Sequence, residues 1–382
     1  MPDSSPIIDI FYFDAGGGHR AAANAIEQSI ALREMPWTVR KVHLQHLLDS
    51  FDLLKKLTGV RTEDVYNNAL KHGLTLGSGF LLKAGQSVAR FYHKDHVGVL
   101  RGHWSETKPD MVVSVVPNFN RAMYEGLKAA NSATPYVTIL TDMADYPPHF
   151  WIERNQDQWF ICGTSKAAEQ AIALGHPRER VLQTSGMILS PSFYEAAKVD
   201  REEERRRLGL DPYMATALVM FGGQGSGVMV DIAKRLDALA GRLQAIFICG
   251  HNDKLAAELR AVQSKVSRFV EGFTSQVAYY MQLADMFIGK PGPGSVSEAL
   301  ELGVPVIVER NAWTMVQERY NADWIREKGV GVVIGNFRDV EEAVRQMMEP
   351  GALAQFRANT AKIHNRAVFE IPAMLERILA AR

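Results

Sequence analysis

His19 closes a run of three glycines, Gly16-Gly17-Gly18, that stands between an apolar stretch and an alanine-rich one. A glycine loop that opens into a helix presents closely spaced backbone N–H groups to anionic oxygens, and an imidazole beside them can take a proton from a hydroxyl near neutral pH. The plainer role of such a histidine is a hydrogen bond within its own loop. The glycine spacing matches neither Gly-x-Gly-x-x-Gly nor a phosphate loop ending in Lys-Ser/Thr, which leaves the amides of Gly17 and Gly18 as candidates to meet a donor's anionic group. In Thr141-Asp142-Met143-Ala144-Asp145-Tyr146, Asp142 is placed to orient His19 or the second substrate. Asp145 and Tyr146 are weaker candidates for meeting that substrate, since Asp-Tyr-Pro-Pro can simply end a strand.

A second group of residues lies in the other half of the chain. Gly222-Gly223-Gln224-Gly225-Ser226-Gly227 is a flexible turn rich in amides, in which Gly223, Gln224, Gly225 and Ser226 are the candidates to line a ligand. Further on, Gly292-Pro293-Gly294-Ser295 leads into a helix whose exposed N-terminus can hold phosphate. Ser295 and Glu298 have the spacing of a capping box, and Glu298 alternatively accepts hydrogen bonds from a ribose diol. Gln317, Glu318 and Asn321 can read sugar hydroxyls directionally, although solvation is their cheaper explanation. No compact His, Cys, Asp and Glu pattern has metal-ligand spacing, so neither a metal nor a tightly bound cofactor is expected.

These groups must be held by an alternation of strands and helices. Residues 7–13, 111–116, 136–141, 158–162 and 180–183 are strand candidates, with helices expected at 21–31, 119–130 and 165–174. The rhythm restarts after Pro191-Ser192-Phe193 and a charged helix at 201–208. Strands follow at 215–221, 243–249, 267–271, 286–289, 304–309 and 331–334, with a helix at 228–239. Each half therefore begins with strand, glycine loop and helix, as parallel sheets with crossover helices do. The expected domains are 1–190 and 191–382, with the last helix packing back on the first domain. Residues 44–103 break the rhythm. Leu44, Leu47, Leu48, Phe51, Leu54 and Leu57 recur at helical spacing, which predicts a helical excursion. The aromatic and basic character of Phe80-Leu81-Leu82-Lys83 and Arg90-Phe91-Tyr92-His93-Lys94 makes Phe80, Phe91 and Tyr92 candidates for an acceptor or membrane-facing surface.

The 382 residues exceed one ordinary core and fit two α/β domains. Lys plus Arg and Asp plus Glu number 43 each, which offers no electrostatic footprint for nucleic acid. Cys162 and Cys249 are too few and too far apart for a disulfide framework. No run is long enough for a membrane span and no basic leader is present, so the expected location is cytoplasmic, with peripheral attachment to the inner face of the membrane. Oligomeric state is not legible.

At this point the chain resembles the monogalactosyldiacylglycerol synthase and processive diacylglycerol glucosyltransferase family, and more distantly the MurG family of N-acetylglucosaminyltransferases. The matching pieces are Gly16-Gly17-Gly18-His19 with Ala21-Ala22-Ala23-Asn24-Ala25-Ile26, Thr141-Asp142, Gly186 through Pro191-Ser192-Phe193, and Gly222-Gly223. Gly272-Phe273, Gly292-Pro293-Gly294-Ser295 with Glu298-Ala299, Gly303-Val304-Pro305, and Gln317-Glu318 with Asn321 complete the series in family order. The resemblance implies an α/β protein of the GT-B glycosyltransferase fold, with two facing Rossmann-like domains: an N-terminal one for the acceptor and a C-terminal one for the nucleotide sugar. It implies His19 as base, Glu298 on the nucleotide ribose, and Gln317 and Glu318 on the sugar, with Phe273 in the donor site. The implied reaction is inverting transfer of a hexose from a UDP-sugar, the donor substrate, to a hydroxyl of diacylglycerol or a related glycolipid.

Residues 143–151 depart from the corresponding turn of the plant galactolipid synthases, which puts the acceptor surface in question. Arg310 and Trp313 fall near the expected sugar site, where Arg310 can meet an acidic sugar, a phosphate or a neighbouring carboxylate. Three other readings stay open: transfer to a soluble small molecule, a sugar-nucleotide 2-epimerase that needs no acceptor, and a nucleotide-sugar-binding regulator without catalysis.

Overall fold

A computed structural model describes residues 5–14, 17–48, 91–195 and 198–381. They form two compact units, one running to Pro191 and taking up the chain again at Asn365, the other spanning Ser192–His364.

The first unit is built on a six-stranded parallel sheet in the order β2-β1-β3-β4-β5-β6. Its strands are β1 (Ile7–Tyr12), β2 (Thr38–His43), β3 (Met111–Ser114), β4 (Tyr136–Ile139), β5 (Trp159–Cys162) and β6 (Val181–Gln183). β3 and β4 are buried along their whole length, as strands covered by helices on both faces must be. On one face Ile8, Ile10, Val113 and Val137 pack against Ala23 and Ile26 of the helix Gly18–Leu32. Ile371 and Leu375 of the last helix, Ala367–Ala380, join that same core, and Ser29 Oγ donates to the Val368 carbonyl. On the other face Phe11, Val112 and Met123 pack with Leu100 and Trp104 of the helix His93–Thr107.

The second unit has the strands β7 (Ala215–Met220), β8 (Leu243–Ile248), β9 (Arg268–Glu271), β10 (Met286–Gly289), β11 (Val306–Glu309) and β12 (Gly331–Ile334), again all parallel, in the order β12-β11-β10-β7-β8-β9. Strand order reverses between β7 and β10, and in open parallel sheets ligands bind beyond the carboxyl ends of the strands at such a point. In the first sheet the equivalent reversal lies between β1 and β3.

The structure departs from the sequence expectations at identifiable places. The edge strand β2 was not anticipated, because Arg40 and Lys41 interrupt its apolar pattern and an edge strand need bury only part of one face. The first helix starts at Gly18 rather than Ala21, with Gly17 at its N-cap in the left-handed conformation (φ 81°) that glycine adopts freely. Of the expected excursion, Leu44–Leu48 and His93–Thr107 are helical; residues 49–90, Phe80 among them, lie outside the described residues. The expected helix at 228–239 ends at Arg235 and continues as a tighter turn over Leu236–Leu239. The capping box is overturned: the helix Pro293–Glu301 begins before Ser295, with Gly292 at the N-cap and Pro293 in the first turn. Proline suits that position because its fixed φ is already helical and its missing N–H has no partner there to lose.

Candidate active site

The carboxyl ends of β1, β3 and β4 are neighbours in the first sheet, and His19 draws on all three. It stands in the first turn of the helix that follows β1. Its Nδ1 lies 3.1 Å from the hydroxyl of Thr141, two residues beyond β4. Loss of water around the ring lowers its pKa to about 4, against a weaker opposing effect from the backbone of Val115 just after β3. The imidazole is therefore neutral at physiological pH, the form a general base requires.

Asp142 reaches the ring through an intermediary. The fully buried Trp151 donates its indole N–H to Asp142 Oδ2 at 2.8 Å, and the indole lies against the His19 ring with centroids 5.8 Å apart. Asp145, anticipated on the acceptor, is engaged within its own turn. Its carboxylate accepts from the backbone N–H of His149 (3.0 Å) and of Trp151 (2.7 Å), and the residue is 2% exposed. It thereby fixes the turn that presents Trp151. Tyr146 is partly exposed in that turn.

Phe91 is 81% exposed, just before the helix His93–Thr107, and makes an edge contact with Tyr92. An aromatic series runs inward from there, from Tyr92 to His96, to Phe119 and to Phe13 beyond β1.

In the second unit the loops after β7 and β10 flank the strand-order reversal. The turn at Gly222–Gly225 is closed by its own backbone hydrogen bond, and Gly223 and Gln224 carbonyls accept from the His251 N–H and the Asn252 side chain beyond β8. A side chain at Gly225 would press to 2.7 Å from the Cys249 carbonyl, so the close fit of the two loops demands glycine. Ser226 follows this turn immediately. Phe273, beyond β9, is 62% exposed and stacks on His251 with centroids 3.9 Å apart at 16°. The carboxyl edge thus carries an open aromatic face, and His251 is a member of it that no local sequence pattern marked.

Glu298 projects from the second turn of Pro293–Glu301, where desolvation raises its pKa to about 7. With Gly292 at the N-cap, helix capping no longer accounts for this carboxylate. Gly294 and Ser295 sit in the first turn. Gln317, Glu318 and Asn321 are buried, contrary to the solvation explanation. Asn321 donates to the Pro291 carbonyl at 2.7 Å, Glu318 accepts from Lys290 at 3.0 Å, and Gln317 Oε1 and Asn321 Oδ1 have no hydrogen-bond partner. Buried amide oxygens without partners carry a cost that a ligand hydroxyl can offset. Arg310 is taken up by Asp323 at 2.8 Å on the surface, and Trp313 is half-exposed nearby. Among the described residues no group of His, Cys, Asp and Glu is gathered as a metal site would require, and no helix is long and apolar enough to cross a membrane.

Residues 19–187 match the monogalactosyldiacylglycerol (MGDG) synthase family, and residues 216–369 match the glycosyltransferase family 28 C-terminal domain. The chloroplastic monogalactosyldiacylglycerol synthase of Spinacia oleracea is 27% identical over 402 residues, covering 99% of this chain and 73% of its own. Among solved structures, MurG of Acinetobacter baumannii superposes with a TM-score of 0.63 at 11% identity, covering 97% of this chain and 100% of that one. HepE of Anabaena in complex with UDP gives a TM-score of 0.58 at 14% identity, covering 99% of this chain and 100% of its own. The chain is a glycosyltransferase of GT-B fold whose first unit is similar to the monogalactosyldiacylglycerol synthase family and whose second unit matches the family 28 C-terminal domain.

Proposed function

We propose that the protein transfers a hexose from a UDP-sugar to the free hydroxyl of diacylglycerol, or of a glycolipid derived from it, with inversion at the anomeric carbon. The neutral, desolvated imidazole of His19 at the carboxyl edge of the first sheet carries this reading. With the ring proton on Nδ1 bonded to Thr141, Nε2 keeps the lone pair a base needs. The acceptor hydroxyl gives its proton to His19 as its oxygen bonds to the anomeric carbon. The bond from that carbon to the β-phosphate oxygen breaks, and its electron pair leaves with the nucleoside diphosphate. Base catalysis supplies roughly 10²–10⁴-fold, so positioning and stabilisation of the leaving diphosphate must supply much of the rest.

The second unit is read as the donor site. The loops at 222–227 and 290–294 offer backbone N–H groups to the diphosphate, Phe273 offers a face to the base, and Glu298 meets the ribose diol. Gln317, Glu318 and Asn321 are the candidates for the sugar hydroxyls. A UDP complex of a similarly folded protein supports the donor class, and the names of the relatives support a lipid acceptor and galactose as the sugar to try first. No tightly bound cofactor is invoked. The lipid acceptor calls for work at a membrane surface, placed at the cytoplasmic side, where the exposed Phe91 and Lys94 would meet acyl chains and headgroups.

The test is a product assay with radiolabelled UDP-galactose, UDP-glucose, UDP-N-acetylglucosamine and UDP-glucuronic acid, each against diacylglycerol in mixed micelles and against soluble alcohols. Labelled glycolipid with an inverted anomeric centre is expected. Transfer only to soluble alcohols, with no binding to liposomes, would remove the lipid acceptor while leaving glycosyl transfer in place.

A further inference from the structure

Lys290 is the first residue beyond β10, at the reversal of strand order in the second sheet. Its stem lies against both glycine loops: a Cβ added to Gly292 would stand 3.5 Å from Lys290 Cε, and one added to Gly222 would stand 3.9 Å from it. Its ammonium donates to Glu318 Oε1 at 3.0 Å, with Lys290 part-exposed and Glu318 only 6% exposed. A buried carboxylate is thus neutralised by a cation that still reaches solvent, on a long stem with three rotatable N–H donors.

This arrangement answers a charge problem that a glycosyl transfer creates. A nucleotide-sugar diphosphate brings negative charge to the two loops, and the departing diphosphate gains a further negative charge when the bond to the sugar breaks. Backbone N–H groups supply partial charges only. Lys290 supplies a full one, at the end of β10, with its stem against the loops that follow β7 and β10.

We infer that Lys290 is the cation that neutralises the donor's diphosphate, and that Glu318 holds it in reserve until the donor arrives. When the ammonium turns to the phosphates, Glu318 Oε1 is released toward the sugar hydroxyls, so donor binding and sugar recognition are coupled through one exchange of partners. The inference rests on the donor-site reading of the second unit.

Calorimetric titration of the full chain with UDP and with uridine tests both together. Lys290→Met is expected to weaken UDP binding about tenfold or more and to leave uridine binding unchanged. Lys290→Arg, which keeps the charge, recovers most of the UDP affinity. Lys290→Met alone leaves Glu318 buried and unpaired, so the Lys290→Met/Glu318→Gln double variant is the control. UDP binding stays weak there if the lysine acts on the phosphates directly, and returning to the unsubstituted value would overturn the inference. Glu318→Gln alone is expected to tighten UDP binding, because the ammonium is no longer shared, while slowing transfer. UDP binding by the unsubstituted chain that Lys290→Met leaves intact overturns the inference and spares the donor site. No UDP binding by the unsubstituted chain removes the donor-site reading, and the inference falls with it.

Discussion

Thr141 Oγ1 lies 3.1 Å from His19 Nδ1, joining the end of β4 to the first turn of a helix 122 residues earlier in the chain. The bond selects a ring orientation, and with the Nδ1 proton in it the opposite nitrogen is available as a base. Thr141→Val removes the partner while keeping the volume. The expected result is a fall in kcat of about tenfold with KM little changed, since a lost hydrogen bond of roughly 1.4 kcal/mol amounts to that factor. Thr141→Ser should keep most of the activity. Equal kinetics for the valine and serine variants would show that the hydroxyl does not orient the ring.

His19→Ala should reduce transfer by on the order of 10² or more and leave nucleotide affinity unaltered. Steady-state kinetics beside UDP titration of the same folded preparation separates the two effects. A folded variant with near-normal turnover would take His19 out of the base role.

The depressed pKa of His19 has a sign that can be measured in two ways. An ordinary imidazole loses its lone pair as pH falls through 6.5, whereas desolvation moves that point to about 4 in the folded protein. The acidic limb of kcat/KM should therefore lie well below 6.5. Stability follows the same linkage: between 6.5 and about 4 the unfolded chain takes up the proton and the folded one resists it, so lowering pH favours unfolding across that window and His19 adds no further slope below it. Denaturant midpoints at either end of the window should differ less for His19→Ala than for the unsubstituted chain.

Asp145 is a test of the turn that positions Trp151. Asp145→Ala strips partners from two backbone N–H groups in a nearly fully buried setting. The expected cost is about 2–4 kcal/mol in unfolding free energy, with kcat falling further than the stability loss explains. Asp145→Asn, which keeps one acceptor oxygen, should lie between. Unfolding measurements paired with turnover at a temperature where both variants are folded would decide it.

Much of this framework could be read from sequence because buried parallel strands are continuous apolar runs. β10 and β12 fall at their expected bounds, and the glycines openly mark both loops, although the helices after them start earlier than expected, at Gly18 and Pro293. β2 escaped because Arg40 and Lys41 are tolerable at a sheet edge. The spacing of Ser295 and Glu298 misled for a local reason, since Gly292-Pro293 had already started the helix. Contacts between distant segments left no local signal. Nothing near residue 19 announces Thr141 or Trp151, and nothing near residue 318 announces Lys290. His251 became visible only when two adjacent strand ends brought it onto Phe273.

Glu298 gives the sharpest test of the donor site. Desolvation raises its pKa to about 7, so near neutrality the folded, unliganded protein holds its carboxyl partly protonated. A ribose diol donates two hydrogen bonds, and a carboxylate accepts both where a carboxylic acid must keep one oxygen for its own proton. Binding of UDP-glucose, whose diphosphate diester carries no titrating proton in this range, should therefore strengthen as pH rises through about 7, level off above it, and release a proton on the acidic side. Glu298→Gln should bind more weakly and without that pH dependence. Stability of the unliganded protein runs the opposite way: the folded state holds a proton that the unfolded state has given up between 4.5 and about 7, so stability falls as pH rises through that window, and the glutamine variant lacks the slope. Calorimetry in two buffers of different ionisation enthalpy reads the proton release directly. A UDP-glucose affinity that is flat with pH and equal in the two proteins would place the ribose elsewhere.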